Sequence, residues 1–176
     1  IDGGGNDNAV KLGLHMQKLG YCCFALLDTD VVVSAANKQK FEEAGGLIAE
    51  WADGCDIERR IFLDVPWGTV REIIKYALET SGEGRVLSNL RLADGAANLD
   101  RAALDALPES DANRAGLASP AILKVEKSSG GKEDRSWFKD MTRGEQLGRI
   151  VFGCLPEIPQ TPLAKTINDV RHWVDA

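Results

Sequence analysis

No apolar run in this chain approaches the roughly 18 residues that a membrane span requires. The longest occupy residues 22–27 and 31–33. Histidine is scarce: the chain has 2, His15 and His172, too far apart in sequence for a local metal motif. No Ser-His-Asp or Cys-His arrangement suggests itself, and there is no P-loop, no GxGxxG and no internal repeat. The four cysteines, Cys22, Cys23, Cys55 and Cys154, form no CxxC pair and no even framework of spacings. With no signal peptide visible, they read as reduced thiols in a cytoplasmic protein. Basic charge is in deficit. A net charge of −6 and a pI near 5.0 argue against a stand-alone basic nucleic-acid module and leave room for an acidic metal site.

What is present is the material of an ordinary globular domain or slightly more: 176 residues, 44% hydrophobic and 27% charged. The first residues, Ile1-Asp2-Gly3-Gly4-Gly5, read as a strand end running into a glycine turn, as though a strand lay upstream. Residues 8–19 carry apolar side chains at helical spacing, and Gly20 supplies a stop. Residues 21–27 are almost wholly apolar, the pattern of a strand buried on both faces of a parallel sheet. A helix over 37–44, a strand over 47–51, a short helix N-capped by Asp56 and a helix from Trp67 to about Thr80 follow. Strand, helix and strand in alternation predict an α/β fold, a mostly parallel sheet flanked by helices.

Three regions are expected. Residues 1–80 form the α/β core. Residues 81–123, rich in Ala, Asp, Leu and Arg, form a helical insertion. Residues 124–176 complete the domain with a polar, mobile loop over 124–135 and two helices split by Pro156, Pro159 and Pro162.

The chemistry-bearing residues are acidic. Asp28-Thr29-Asp30 ends the most hydrophobic strand, and in open α/β sheets ligands bind beyond the carboxyl ends of the strands. Two carboxylates there suit a hard divalent cation, which takes oxygen ligands and retains water. Asp28 lies outside the apolar core, so its replacement is expected to leave the fold intact. Asp56 and Glu58 form a second acidic pair where a strand gives way to a helix; they are either a cap and a dipole partner, or further metal ligands. Lys139, between Phe138 and Asp140, either snorkels or neutralises charge developing on a phosphate.

This combination resembles a Toprim domain. More narrowly, Asp2-Gly3-Gly4-Gly5, Leu27-Asp28-Thr29-Asp30, Asp56-Ile57-Glu58-Arg59-Arg60-Ile61-Phe62 and Trp137-Phe138-Lys139 are similar to the C-terminal nuclease region of the OLD (overcoming lysogenization defect) family, which includes Gabija-type phage-defence nucleases. The resemblance implies a metal-dependent DNA endonuclease with two Mg²⁺ or Mn²⁺ ions. Asp28 and Asp30 are the implied ligands and catalytic acids, Asp56 and Glu58 the further ligands, and Lys139 the catalytic lysine. It also implies an N-terminal ATPase domain, through which alone ATP would act, a homo-oligomer or helicase partner, and no membrane. The family's first-strand glutamate has no counterpart in this sequence. Two other readings stand beside it. Strand-Asp28-Thr29-Asp30 also resembles the opening motif of haloacid-dehalogenase-type phosphatases, although here a glycine turn and a helix come first. A non-enzymatic α/β regulatory module with solvated acids is the third.

Overall fold

The computed structural model describes residues 6–29, 32–51, 53–94, 99–126, 132–138 and 140–176. The expected glycine turn at Gly3–Gly5, and also Asp30 and Lys139, therefore lie outside the described residues. The chain is mixed α/β and mainly helical, and it divides into two compact units, Ile1–Arg60 with Pro162–Ala176, and Ile61–Thr161. The last helix belongs with the first unit. Among the described residues no helix is long and apolar enough to cross a membrane.

The first unit holds α1 (Asn6–Lys18), β1 (Phe24–Leu27), α2 (Ala35–Glu43), β2 (Leu47–Glu50) and α9 (Pro162–Asp175). β1 and β2 pair in parallel, Phe24 opposite Leu47 through Leu27 opposite Glu50, with α2 as the crossover. Both α1 and α2 end in the same way. Gly20 and Gly45 take up φ near 88°, which a side chain would resist. The next N–H then turns back onto the helix, from Tyr21 to the Met16 carbonyl and from Gly46 to the Phe41 carbonyl. Tyr21 is therefore part of a helix cap, which is why the strand begins at Phe24 rather than at residue 21.

β1 is not buried on both faces. Ala25 and Leu27 join Val10, Val33 and Phe41 in a core under α1 and α2, whereas Leu26 is 40% exposed. On the other face Trp173 of α9 packs against Phe24, ring centroids 5.7 Å apart, and no described element covers Leu26 fully. The continuous apolar run looked two-sided because alternate residues face different helix layers, one of them incomplete.

The second unit is built on α4 (Trp67–Ser81), whose buried stripe is Val70, Ile73, Ile74, Ala77 and Leu78, as its spacing predicts. α5 (Glu83–Asp94), α6 (Arg101–Ala106) and α7 (Asp111–Ala121) follow, then α8 (Met141–Cys154). The helix α3 (Ile57–Asp64) crosses the division, and its last carbonyls are answered within this unit. Buried Arg114 donates to the carbonyls of Phe62 (3.0 Å) and Val65 (2.7 Å) and to Glu109 (2.7 Å). Its guanidinium lies 5.6 Å from the Trp67 ring centroid. A cation at a helix C-terminus is favourable by its charge as well as by its bonds.

The polar stretch 124–135 was expected as a mobile loop. The described part is instead an antiparallel pair, β3 (Lys124–Glu126) with β4 (Lys132–Asp134). Its register sets Lys124 opposite Asp134 and Glu126 opposite Lys132, residue types that favour cross-strand pairing despite their polarity.

Phe41 gives the first unit a sharp test. A Cβ at Gly13 would lie 2.4 Å from the Phe41 ring, and one at Gly46 2.3 Å from it. In an open helix, Gly→Ala stabilises by about 1 kcal/mol. Gly13→Ala is expected to reverse that sign and cost about 1–3 kcal/mol through overpacking. Urea unfolding checks it, and a stabilised variant would show that α1 does not lie against Phe41.

Candidate functional site

The carboxyl end of β1 carries Asp28 and lies against the loop that opens α3. Asp28 follows the last strand residue. Its backbone carbonyl accepts the side-chain amide of Asn6, at the start of α1. Its carboxylate Oδ1 accepts the N–H of Ile57, the first residue of α3, at 2.9 Å. Thr29 continues the connection: its N–H reaches the Cys55 carbonyl at 3.0 Å and its hydroxyl reaches the same oxygen at 3.4 Å. The end of the strand is thus laced to the loop that opens α3.

Asp56, itself buried, accepts the Arg59 N–H at 2.6 Å. The first four N–H groups of a helix have no internal partner, and here two of them are answered by carboxylates from two separate motifs. The bond to Ile57 places Asp28 against the residue that separates Asp56 from Glu58, so the structure brings these acids to one pole of the sheet. Asp30 and Lys139 lie outside the described residues. Lys139 is flanked by buried Phe138 and by Asp140, whose carboxylate caps α8 through the Arg143 N–H at 2.9 Å.

Other side chains at this pole were not singled out in the sequence. Buried Arg60 forms an ion pair with Asp53 at 2.9 Å. Asn37 of α2 donates to Asp7 of α1 at 2.8 Å, and Lys38 pairs with Glu50 at the end of β2. These residues carry no local motif. Apart from Asp53, which lies in the loop before α3, only their position, at the first turn of a helix or the last residue of a strand, marks them.

The donor chemistry suits a hard cation. Asp28, Asp56 and Glu58 offer oxygen, and the one sulfur in the loop is unsuited to act as a thiolate. Burial, and secondarily the Asp53 carboxylate, push the Cys55 thiol up from its ordinary range. Among the described residues, however, no three His, Cys, Asp or Glu side chains converge to hold a metal. Asp28 and Asp56 each direct an oxygen at α3 instead. A metal here would need at least one oxygen more than the described residues bring together.

The same bond to Ile57 gives Asp28 a small part in the stability of the fold. Removing an N-terminal cap of this kind costs about 1 kcal/mol. No protein-family model, curated protein or solved structure matches the chain. The likeness to the OLD family therefore rests on its sequence motifs alone.

One group gives the pole a pH signature. Bonds from Lys11 and then Asn37 hold the Asp7 carboxyl below its usual 3.8. A depressed carboxylate contributes stability above its unfolded pKa and loses it as pH falls through the folded value. Asp7→Asn is therefore expected to be less stable than the parent at pH 7, with the gap closing below about pH 4. Parallel denaturant titrations between pH 2 and 7 check it; a gap that stays constant would show that the Asp7 carboxylate is not held by Lys11 and Asn37.

Proposed function

We propose that this chain is the catalytic domain of a Mg²⁺- or Mn²⁺-dependent DNA endonuclease of the OLD type, with a Toprim-like core. One observation carries the reading: Asp28, at the carboxyl end of β1, is hydrogen-bonded to the residue between Asp56 and Glu58. The two acidic motifs of the resemblance thus meet where an open parallel sheet binds its ligands.

In this reading Asp28 and Asp30 are the principal ligands, and Asp56 or Glu58 completes the oxygen set. When bound, the metal pair activates water and steadies the leaving oxygen of a phosphodiester. The chain's own residues do the rest. The Ile57 bond orients the Asp28 carboxylate, and Thr29 and Asn6 fix the backbone on either side of it. Lys139, as the resemblance implies, offsets charge developing on the phosphate. A net charge of −6 supplies little affinity for DNA, so binding relies on an ATPase domain, an oligomer or a helicase partner. The same bonds favour a second reading, in which Asp28 and Asp56 are helix caps in a non-catalytic module.

Two variants separate the readings. Asp28→Asn keeps an oxygen for the Ile57 N–H and removes the charge; Asp28→Ala removes both. Nicking of supercoiled plasmid with Mg²⁺ or Mn²⁺ is expected to fall about 100-fold or more in each. Only Asp28→Ala should lose about 1 kcal/mol in urea unfolding. Parental nicking by a folded Asp28→Asn protein would overturn the nuclease reading and leave these acids as caps.

A further inference from the structure

Arg85 and Arg135, distant in sequence, meet on one face of α5 within the second unit. Arg85 lies in the first turn of the helix and Ser88 one turn on, along the same side. Arg135 follows the last residue of β4. The Arg85 guanidinium donates through Nη2 to the Asp134 carbonyl at 3.1 Å, on the peptide that joins Asp134 to Arg135. The Arg135 guanidinium crosses in the other direction, and its Nη1 stands 3.5 Å from the Ser88 hydroxyl, long for a hydrogen bond. The two cations therefore reach the same turn of α5, beside one hydroxyl.

The main chain fixes this placement. Asn89, wholly buried, donates to the carbonyls of Arg135 (2.9 Å) and Pro120 (3.2 Å), and the Arg135 N–H goes to Leu123 (2.8 Å). The fold leaves donors over. A guanidinium carries five N–H donors. Among the described residues half-buried Arg85 uses one, on a neutral carbonyl, and its Nε is buried without an acceptor. Next to Arg135, the hydroxyl of buried Ser136 also has no partner among the described residues. Exposed arginines of the same unit are matched differently, Arg101 with Asp105 at 2.7 Å and Arg149 with Glu145 at 2.6 Å. Of the neighbouring acids, Asp134 turns Oδ1 to the Ser136 N–H at 2.9 Å, and Glu83 lies 3.8 Å from Arg101. Guanidinium forks bind oxyanions by paired, charge-assisted bonds. Here the forks arrive from two elements, which suits the non-coplanar oxygens of a phosphate better than a planar carboxylate.

We propose that Arg85, Ser88 and Arg135 bind a phosphate group and, resting on the nuclease reading, that it is a phosphate of the DNA backbone. One such contact agrees with a chain of net charge −6 that draws most of its DNA affinity from other parts.

The test uses the 176-residue chain in EDTA, so that this site and a metal at Asp28 fail or hold separately. Inorganic phosphate, titrated against chloride at constant ionic strength, is expected to give saturable shifts of the Arg85 and Arg135 Nε–H resonances and none at Arg149. A short fluorescent DNA duplex is the second probe. Arg85→Gln keeps an amide donor for the Asp134 carbonyl and removes the charge. It is expected to weaken duplex binding about tenfold at low salt and to lower the salt slope by about one. Arg135→Gln, on a different element, is expected to do the same, with circular dichroism reporting the fold of each variant. Arg149→Gln removes the same charge from an exposed pair and is expected to leave the affinity within about twofold. Absence of a saturable phosphate shift at Arg85 and Arg135 would overturn the site. Phosphate shifts with parental duplex binding by both folded variants would overturn its assignment to DNA and leave a free phosphate as the ligand. Equal weakening by Arg149→Gln would also defeat it, because affinity would then follow net charge alone.

Discussion

The N-terminus of α3 is an unsatisfied set of N–H groups that must find acceptors, and the way it finds them organises the first unit. Asp28 comes to it from the end of β1, and Asp56 from the loop after β2. Each bond is worth about 1 kcal/mol as a cap, and each carboxylate also complements the positive end of the helix. More consequential is what these bonds hold in place. Thr29 can reach Cys55 only if the strand end and the loop lie side by side, and the Asn6 contact brings the start of α1 to the same point. A short parallel sheet thereby gains a pole where acids of separate motifs are neighbours.

The opposite end of α3 is handled by charge of the other sign. Buried Arg114 answers the Phe62 and Val65 carbonyls within the second unit. Replacing it by an apolar residue would strand those acceptors, the kind of loss that typically costs about 1–3 kcal/mol per group. The two units thus place charged side chains where backbone geometry leaves partial charge uncovered.

Much of this was legible in the sequence, because local rules decide it. The periodicity of Val70, Ile73, Ile74, Ala77 and Leu78 marked α4, and Gly20 marked the end of α1. Asp56 was legible as a cap from its place before an amphipathic turn. The cap from Asp28 was not, because it joins residues 28 and 57, and no local pattern announces a long-range hydrogen bond. The hairpin of β3 and β4 was missed for a related reason. Its polar composition matched a loop, and no local pattern announces the pairing register. The exposed side of Leu26 was hidden by the apolarity of its neighbours, since a continuous run does not say whether both helix layers are complete. Of the candidate site, the residue types and their strand-end placement were readable; the contacts that orient them were not.

The central claim is that the pole held together by Asp28 is a metal centre as well as a helix cap. Crystals grown with Mn²⁺ test it most directly, through anomalous scattering. The account predicts a peak about 2.0–2.3 Å from a carboxylate oxygen of Asp28, with a second acid from Asp30, Asp56 or Glu58 in its coordination shell. A saturating Mn²⁺ concentration that leaves no peak at Asp28, with its carboxylate still on the Ile57 N–H, would contradict it.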